Sequence, residues 1–280
     1  MDAFVFAAVL IAAACHAGWN ALIKFGLEPF TSAALIAVAS GLIAAPVMAV
    51  AGLPPPPAWP WVIASVILHL AYYIGLTEAY RSGDMGQVYP IARGTAPLLT
   101  AGLSALVVGE TLGPLAWAGI ALLAGGILLL SMRGGKDLAF DARSVSFALF
   151  TSVTICGYSV VDGVGARIAG SAHAYTAALF VGDGLVMAIF LWLRRGASAA
   201  IEVRRYWRQG LIGGALSLAA YWIAIWAMTK APIALVAALR ETSVLFGALI
   251  AVAVLGEKLR LVRIGAACVI VVGLTLIRMQ

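Results

Sequence analysis

Two arginines inside apolar stretches are the residues of this chain best suited to chemistry. Arg93 and Arg240 each lie several residues inside such a stretch, where a guanidinium is costly unless it is paired or faces water. A buried guanidinium binds a carboxylate through parallel hydrogen bonds, or forms an ion pair that opens and closes. We therefore predict that both arginines bind a solute carboxylate or form a gate, with Glu241 or Asp84 as partner. Snorkelling to an interface, or a purely structural pairing, is the alternative.

Aromatic side chains accompany these arginines. His69, Tyr72 and Tyr73 lie in one apolar stretch, and Tyr221 and Trp222 lie in a later one. Aromatic rings carrying hydroxyl and N–H groups predict an amphipathic cavity for a small organic solute, the alternative being an interfacial belt or lipid-facing packing. The predicted substrate-binding residues are His69, Tyr72, Tyr73, Trp19, Asn20, Tyr89, Tyr158, Tyr221, Trp222 and Trp226.

One acidic residue is the candidate for proton coupling. Asp162 lies in an apolar stretch, where an ionised carboxylate is costly, so it faces a wet cavity, holds a proton or is capped structurally. A structural role is as consistent with the sequence as proton coupling. The Cys and His residues lack metal-ligand spacing, so we expect no metal and no cofactor.

The elements that position these residues are membrane-spanning helices. Hydrophobic residues make up 63% of the chain and charged residues only 11%, against about 25% charged in an average soluble domain. Apolar runs of about 20 residues have the length that a helix needs to cross a bilayer. Ten spans are predicted, at residues 3–23, 31–51, 59–80, 86–108, 113–132, 144–166, 173–193, 209–229, 233–255 and 260–278.

The chain contains an internal repeat. Residues 93–132 align without a gap with residues 240–279, and an Arg, a Thr, a Gly-Glu pair and a late Gly recur. The predicted repeats are residues 1–135 and 136–280, with five spans each. Because five is odd, the second repeat enters the membrane from the opposite side. The predicted fold is an all-α polytopic membrane protein with two inverted five-helix repeats around a central cavity.

The loop charges predict an orientation. Most Lys and Arg residues of the loops fall on one side of the predicted spans. The opposite side has only Arg167, Lys230 and Arg278. The richer side should be cytoplasmic, which places both termini outside. The bilayer therefore accounts for the basic residues, and we expect no nucleic-acid partner. We expect a monomer or a weak homodimer.

A recurring motif identifies a family resemblance. "VVGETL" at residues 107–112 and "VLGEKL" at residues 254–259 each open the last helix of a five-span half. Together with the ten-span pattern, they resemble the drug/metabolite transporter superfamily, specifically its EamA-type exporters, and among those the YddG-type amino acid exporters. The resemblance implies a secondary transporter of a bacterial-type inner membrane that exports small metabolites, aromatic or hydrophobic amino acids first. It also implies that the protein is not an enzyme. Drugs or nucleotide-sugar-like solutes are the alternative cargo, and a lipid-modifying enzyme is a distant alternative.

Two further expectations concern local structure. We expect Glu110 and Glu257 to stabilise the N-terminus of the helix that follows each of them. Pro90 and Pro97 predict that the fourth span is the most deformable.

Overall fold

The computed structural model describes residues 1–23, 27–82, 85–131, 142–196, 198–255 and 261–280. The described chain forms eleven α-helices. They are α1 (Ala3–Ile23), α2 (Pro29–Ala51), α3 (Trp59–Ser82), α4 (Met85–Leu103), α5 (Pro114–Ser131), α6 (Ala142–Ala169), α7 (Ala172–Arg195), α8 (Ser198–Met228), α9 (Ile233–Arg240), α10 (Ser243–Leu255) and α11 (Leu261–Met279). A 3₁₀ turn at Pro56–Ala58 precedes α3, and a π turn at Ser104–Val108 extends α4.

The helices have the lengths that a bilayer requires. Among the described residues, nine segments are long and apolar enough to cross a membrane, and Pro114–Leu130 is a shorter apolar helix. At 1.5 Å per residue, that shorter helix still falls near the lower limit for a spanning helix of about 17 residues. The prediction of an all-α polytopic membrane protein is therefore confirmed.

The ninth predicted span is broken into α9 and α10. Glu241 N–H and Thr242 N–H donate to carbonyls three residues earlier, and the Thr242 hydroxyl donates to the Leu239 carbonyl at 2.7 Å. A hydroxyl that bonds a nearby carbonyl competes with the α-helical pattern, which accounts for a break without Pro or Gly. Pro90 and Pro97 instead lie inside the continuous helix α4, although sequence reasoning marked that span as the most deformable.

Glycines bring two pairs of helices close together. Gly41 of α2 lies against Gly184 of α7, and a Cβ built on Gly41 would approach the Phe180 carbonyl to 2.8 Å. Gly119 of α5 lies against Gly273 of α11 in the same manner, with 2.8 Å to the Gly273 carbonyl. Small residues let helix backbones approach closely in a bilayer. Gly119 and Gly273 thus pack two helices of the same chain against each other.

The contacts between helices follow the repeat. In the second half of the chain, α6 is the equivalent of α1 and α8 is the equivalent of α3. The helix α3 packs on α6, and in the same way α8 packs on α1. Likewise α2 contacts both α7 and α8, and α7 contacts α3. The buried arginines, the aromatic cluster and Asp162 lie on the helices α3, α4, α6, α8 and α9.

An acidic cap begins α2 at one end of the bundle. The Glu28 carboxylate accepts hydrogen bonds from the Thr31 N–H at 3.3 Å and the Thr31 hydroxyl at 3.0 Å. Arg195, at the end of α7, donates to the same oxygen at 3.1 Å. Partial burial acts to raise the pKa of Glu28, but the hydrogen bonds from Thr31 and Arg195 outweigh it and hold the pKa below its ordinary value.

Candidate functional site

Arg93 is held by charge at the centre of the bundle. Its side chain is 1% exposed, and its Nε lies 2.9 Å from Oε2 of Glu241, at the break between α9 and α10. Its Nη2 faces Nε2 of His16 in α1 and lies 3.4 Å from the Ser243 hydroxyl. Of the two predicted partners of Arg93, the structure shows Glu241. Asp84 lies outside the described residues.

Arg240 is buried equally deeply but has a different environment. Its Nη2 donates to the Tyr158 hydroxyl at 3.1 Å, and Glu241 is 3.9 Å away. Its guanidinium carbon lies 5.0 Å from the ring centre of Tyr221 and 5.5 Å from that of Tyr158. No described residue accepts a hydrogen bond from its Nε. The nearest partners of Arg240 are therefore neutral rings and one hydroxyl, with its only carboxylate at the limit of ion-pair distance.

An aromatic cluster adjoins Arg240. The ring of His69 stacks on that of Tyr158 at 4.4 Å between centres, and Tyr221 meets both rings edge-on at 5.4 and 5.8 Å. Tyr72 lies edge-on to Tyr158 at 5.9 Å, and Tyr73 touches Tyr72 from outside at 5.4 Å. The structure thus brings together five of the aromatic residues predicted from the sequence.

Two buried carboxylates lie on the far side of these rings. Asp162 accepts hydrogen bonds from the Tyr175 hydroxyl at 2.9 Å and from the Tyr221 hydroxyl. Asp183 lies 3.9 Å from Nδ1 of His69, and that nitrogen also lies 3.0 Å from the Ser65 carbonyl and 3.1 Å from the Ser65 hydroxyl. Among the described residues, no Arg or Lys forms an ion pair with Asp162.

Comparisons with known proteins were made against this geometry. The EamA-like transporter family matches residues 3–132 and, a second time, residues 143–279. The chain belongs to this family. The predicted membership of the drug/metabolite transporter superfamily is confirmed, and with it a membrane transporter that acts on a small-molecule substrate.

The structural comparison agrees with this membership. A solved structure printed only as "Crystal structure of protein" matches with a TM-score of 0.78 at 19% identity, covering 99% of this chain and 96% of its own. At that identity the match shows the fold alone. In all, 29 chains of solved structures match this chain. No curated protein matches the sequence. The YddG-like subtype stays a prediction.

Other predicted substrate residues of this EamA-family chain lie away from the aromatic cluster. Trp222 donates through Nε1 to Nδ1 of the exposed His173 at 2.8 Å, and Trp226 lies edge-on to Phe4 at 5.8 Å. Trp19 packs edge-on against His16 at 5.0 Å, and Asn20 donates to the His16 carbonyl within α1. The side chain of Tyr89 lies outside the described residues.

Glu110, one of the two family-motif glutamates, caps a helix of the other repeat. Gly109 adopts a φ of 74° that favours glycine and ends the π turn. The Glu110 carboxylate then accepts from the Ile233 N–H at 2.8 Å and the Ala234 N–H at 3.2 Å, at the start of α9. Arg167 donates to it at 2.9 Å. The expected acidic cap at a helix N-terminus is present, but on α9 and not on the following α5. Glu257 lies outside the described residues.

Sequence reasoning missed several participants in this site. His16 and Ser243 contact Arg93, Ser65 contacts His69, and Tyr175 donates to Asp162. A signal for Tyr175 existed, because a hydroxyl-bearing ring in the span next to Asp162 is a natural donor to a buried carboxylate. Serines in spans are too common for such an inference. Within the part of the chain that the structure describes, no cluster could hold a metal ion.

Proposed function

We propose that this EamA-family transporter exports small organic metabolites, in the first place amino acids with aromatic or hydrophobic side chains, and does not convert them chemically. The charge at the centre supports this proposal. Arg93 and Arg240 both approach the carboxylate of Glu241, so the formal charge of these three side chains is positive. A solute carboxylate binds Arg240 within this positive group, and the cluster of Tyr158, His69 and Tyr72 packs against the side chain of the solute.

Alternating access of the two halves, residues 1–135 and 136–280, is the mechanism we propose. The spans number five in each half, which inverts the second half, and the contacts of α3 with α6 and of α8 with α1 follow that symmetry. The arginines and Glu241 come from α4 and from the break between α9 and α10, one element from each half. Rocking of the halves therefore moves the two sides of the site relative to each other, and Arg93, Arg240 and Glu241 act as gate and carboxylate site together.

Asp162 is the proposed proton-coupling residue. It is fully buried, no described Arg or Lys pairs with it, and two tyrosine hydroxyls donate to it. Exchange of a proton at this position lets the charge of the site change between the two states of the cycle. The test is whether an inward proton gradient accelerates solute efflux from vesicles, and whether Asp162→Asn removes that acceleration while flux down the solute gradient continues.

The proposed location is a bacterial-type inner membrane with both termini outside, as a monomer or a weak homodimer. Arg278 donates to the Met1 carbonyl at 2.8 Å, so both ends of the chain lie together at one side of the bundle. The exposed Arg194, Arg195, Arg204 and Arg205 support a cytoplasmic assignment for the other side. We expect alkaline phosphatase to be active when it is fused to either terminus. Inactive fusions at both termini would show that the orientation is the reverse of the proposed one.

The transport proposal is tested by counterflow in liposomes. Purified protein, reconstituted into vesicles loaded with unlabelled phenylalanine, should accumulate labelled phenylalanine from outside. Arg240→Gln should lower the rate by about 100-fold, since a buried charged contact to the solute is lost. The matched control Arg278→Gln, which changes an arginine at the protein surface, should leave the rate unchanged. Absence of flux for a broad panel of amino acids and related metabolites would overturn the proposal.

A further inference from the structure

The buried polar residues form two poles of opposite charge. The arginine pole consists of Arg93, Arg240 and Glu241, and its formal charge is positive. The acid pole consists of Asp162 and Asp183, and its formal charge is negative. All five side chains are less than a tenth exposed. A site with one positive and one negative end matches a solute with both charges, not a simple anion.

One tyrosine separates the two poles. The ring of Tyr221 lies under the guanidinium of Arg240 at 5.0 Å, and the hydroxyl of the same residue donates to Oδ2 of Asp162. The guanidinium carbon of Arg240 therefore lies about 10 Å or less from the carboxylate of Asp162. An α-amino acid whose carboxylate and ammonium each form a hydrogen bond of about 2.8 Å fits within that distance. The separation of the poles therefore suits an α-amino acid.

Asp162 has capacity for a further donor. Each of its oxygens accepts one tyrosine hydroxyl, from Tyr175 and from Tyr221, and a carboxylate oxygen accepts two hydrogen bonds. Asp183 adds a second negative charge on the same side, with only His69 at 3.9 Å as a partner among the ion pairs of the described residues. The rings of Tyr72, Tyr158 and Tyr221 pack against one another beside Arg240 and Asp162, and aromatic faces attract a cation as they attract Arg240.

We propose that Asp162, assisted by Asp183, binds the ammonium group of the solute while Arg240 binds its carboxylate. This inference rests on the proposed transport function and specifies its substrate class as zwitterions with adjacent ammonium and carboxylate groups. A proton on the acid pole supplies the positive charge when no solute is bound, and the ammonium replaces it on binding. No bond is made or broken in the solute.

The test compares three solutes of one shape in the liposome assay. Phenylalanine carries both charges, 3-phenylpropionate lacks the ammonium, and phenethylamine lacks the carboxylate. The wild-type protein should transport phenylalanine at least about tenfold faster than either analogue, because each analogue leaves one buried pole without its partner. Asp162→Asn should abolish the preference for phenylalanine over 3-phenylpropionate. Arg240→Gln should abolish the preference for phenylalanine over phenethylamine.

The outcomes separate this inference from the function on which it rests. If Asp162→Asn keeps the wild-type preference over 3-phenylpropionate, the ammonium site is wrong and the transport function stands. If the wild-type protein moves none of the three solutes and no other amino acid, both are wrong. Asparagine can accept from one tyrosine hydroxyl through its oxygen and donate to the other through its amide nitrogen, so the variant should fold. Thermal stabilisation of the purified proteins is a second measurement: phenethylamine should stabilise the wild type but not Asp162→Asn, and stabilisation of both would contradict the inference.

Discussion

Arg93 and Arg240 occupy equivalent positions in the two halves of the chain and are both 1% exposed, yet their surroundings differ. Arg93 lies 2.9 Å from a carboxylate oxygen of Glu241 and also faces His16 and Ser243. Arg240 lies 3.9 Å from the same carboxylate and otherwise contacts the hydroxyl and rings of tyrosines. After duplication, one copy of this arginine pairs with a carboxylate of the other half, and the other is the copy that we propose binds the solute.

The residue after each arginine explains the difference. Gly94 follows Arg93 and lies so close to α5 that a Cβ would come within 2.8 Å of the Leu128 side chain. Glu241 follows Arg240 at the break in the helix, where its carboxylate points towards both guanidiniums. The second half thus supplies the only described carboxylate that both arginines approach. That carboxylate lies closer to the arginine of the first half than to its own neighbour in the chain.

The largest expected effect comes from removing the shared carboxylate. Glu241→Gln removes the carboxylate that both buried guanidiniums approach and should lower the free energy of unfolding by about 3–5 kcal/mol. Thermal unfolding in detergent measures the loss. The double variant Arg93→Leu with Glu241→Leu should be more stable than Glu241→Gln alone, since it also removes one of the two charges. A double variant that is less stable would show that the pair contributes more than charge balance.

The second test separates the two arginines directly. Arg93→Gln should mainly reduce stability, because it breaks the ion pair between the halves. Arg240→Gln should mainly reduce transport, by about 100-fold, with a smaller loss of stability, because its closest partners are neutral. Counterflow rates and melting temperatures of the two variants, measured in parallel, check this. Equal losses in both measurements for both variants would remove the distinction between a structural and a ligand-binding arginine.

The third test asks why the first half lacks its own glutamate. Gly94→Ala should lower the free energy of unfolding by about 1–3 kcal/mol, since the added methyl overlaps Leu128 and approaches the Ala124 carbonyl. Gly125→Ala is the matched control, because a Cβ at Gly125 meets nothing within 4 Å. If the two variants unfold alike, a lack of space is not the reason for the difference between the halves.

The smallest effect is expected for an exposed ion pair that contrasts with the buried one. Glu28 pairs with Arg195 at 3.1 Å, and both side chains are more than a third exposed, so Glu28→Gln should cost at most a few tenths of a kcal/mol at neutral pH. The folded pKa of Glu28 lies below its ordinary value of 4.5. The stabilisation is therefore complete above about pH 4.5 and is lost as the pH falls through the lower folded pKa. The melting temperatures of wild type and variant should converge below that value, and a constant difference would contradict the prediction.

The sequence predicted the helices well because each span is an apolar run of bilayer length. It predicted the importance of Arg93, Arg240, Glu241 and Asp162 because charge inside such a run is costly and therefore needs a partner. The pairings could not be predicted, since they depend on how helices pack: Asp84 and Glu241 were equivalent candidates for Arg93. The break at Thr242 was also missed, because Pro90 and Pro97 are stronger helix breakers by type. Tertiary packing keeps α4 continuous despite them.

The cap that Glu110 provides for α9 bears on how the two halves assemble during synthesis. Glu110 belongs to the first half, and the helix that it caps begins at Ile233 in the second. Pro232 at the start of α9 has no side-chain cap of its own. The second half produced by itself would therefore have uncapped amide groups at the start of this helix, and it should be degraded faster than when the first half is supplied on a separate chain. The motif glutamate thus acts as a recognition element between halves, which would let a transporter of this design be encoded by two genes.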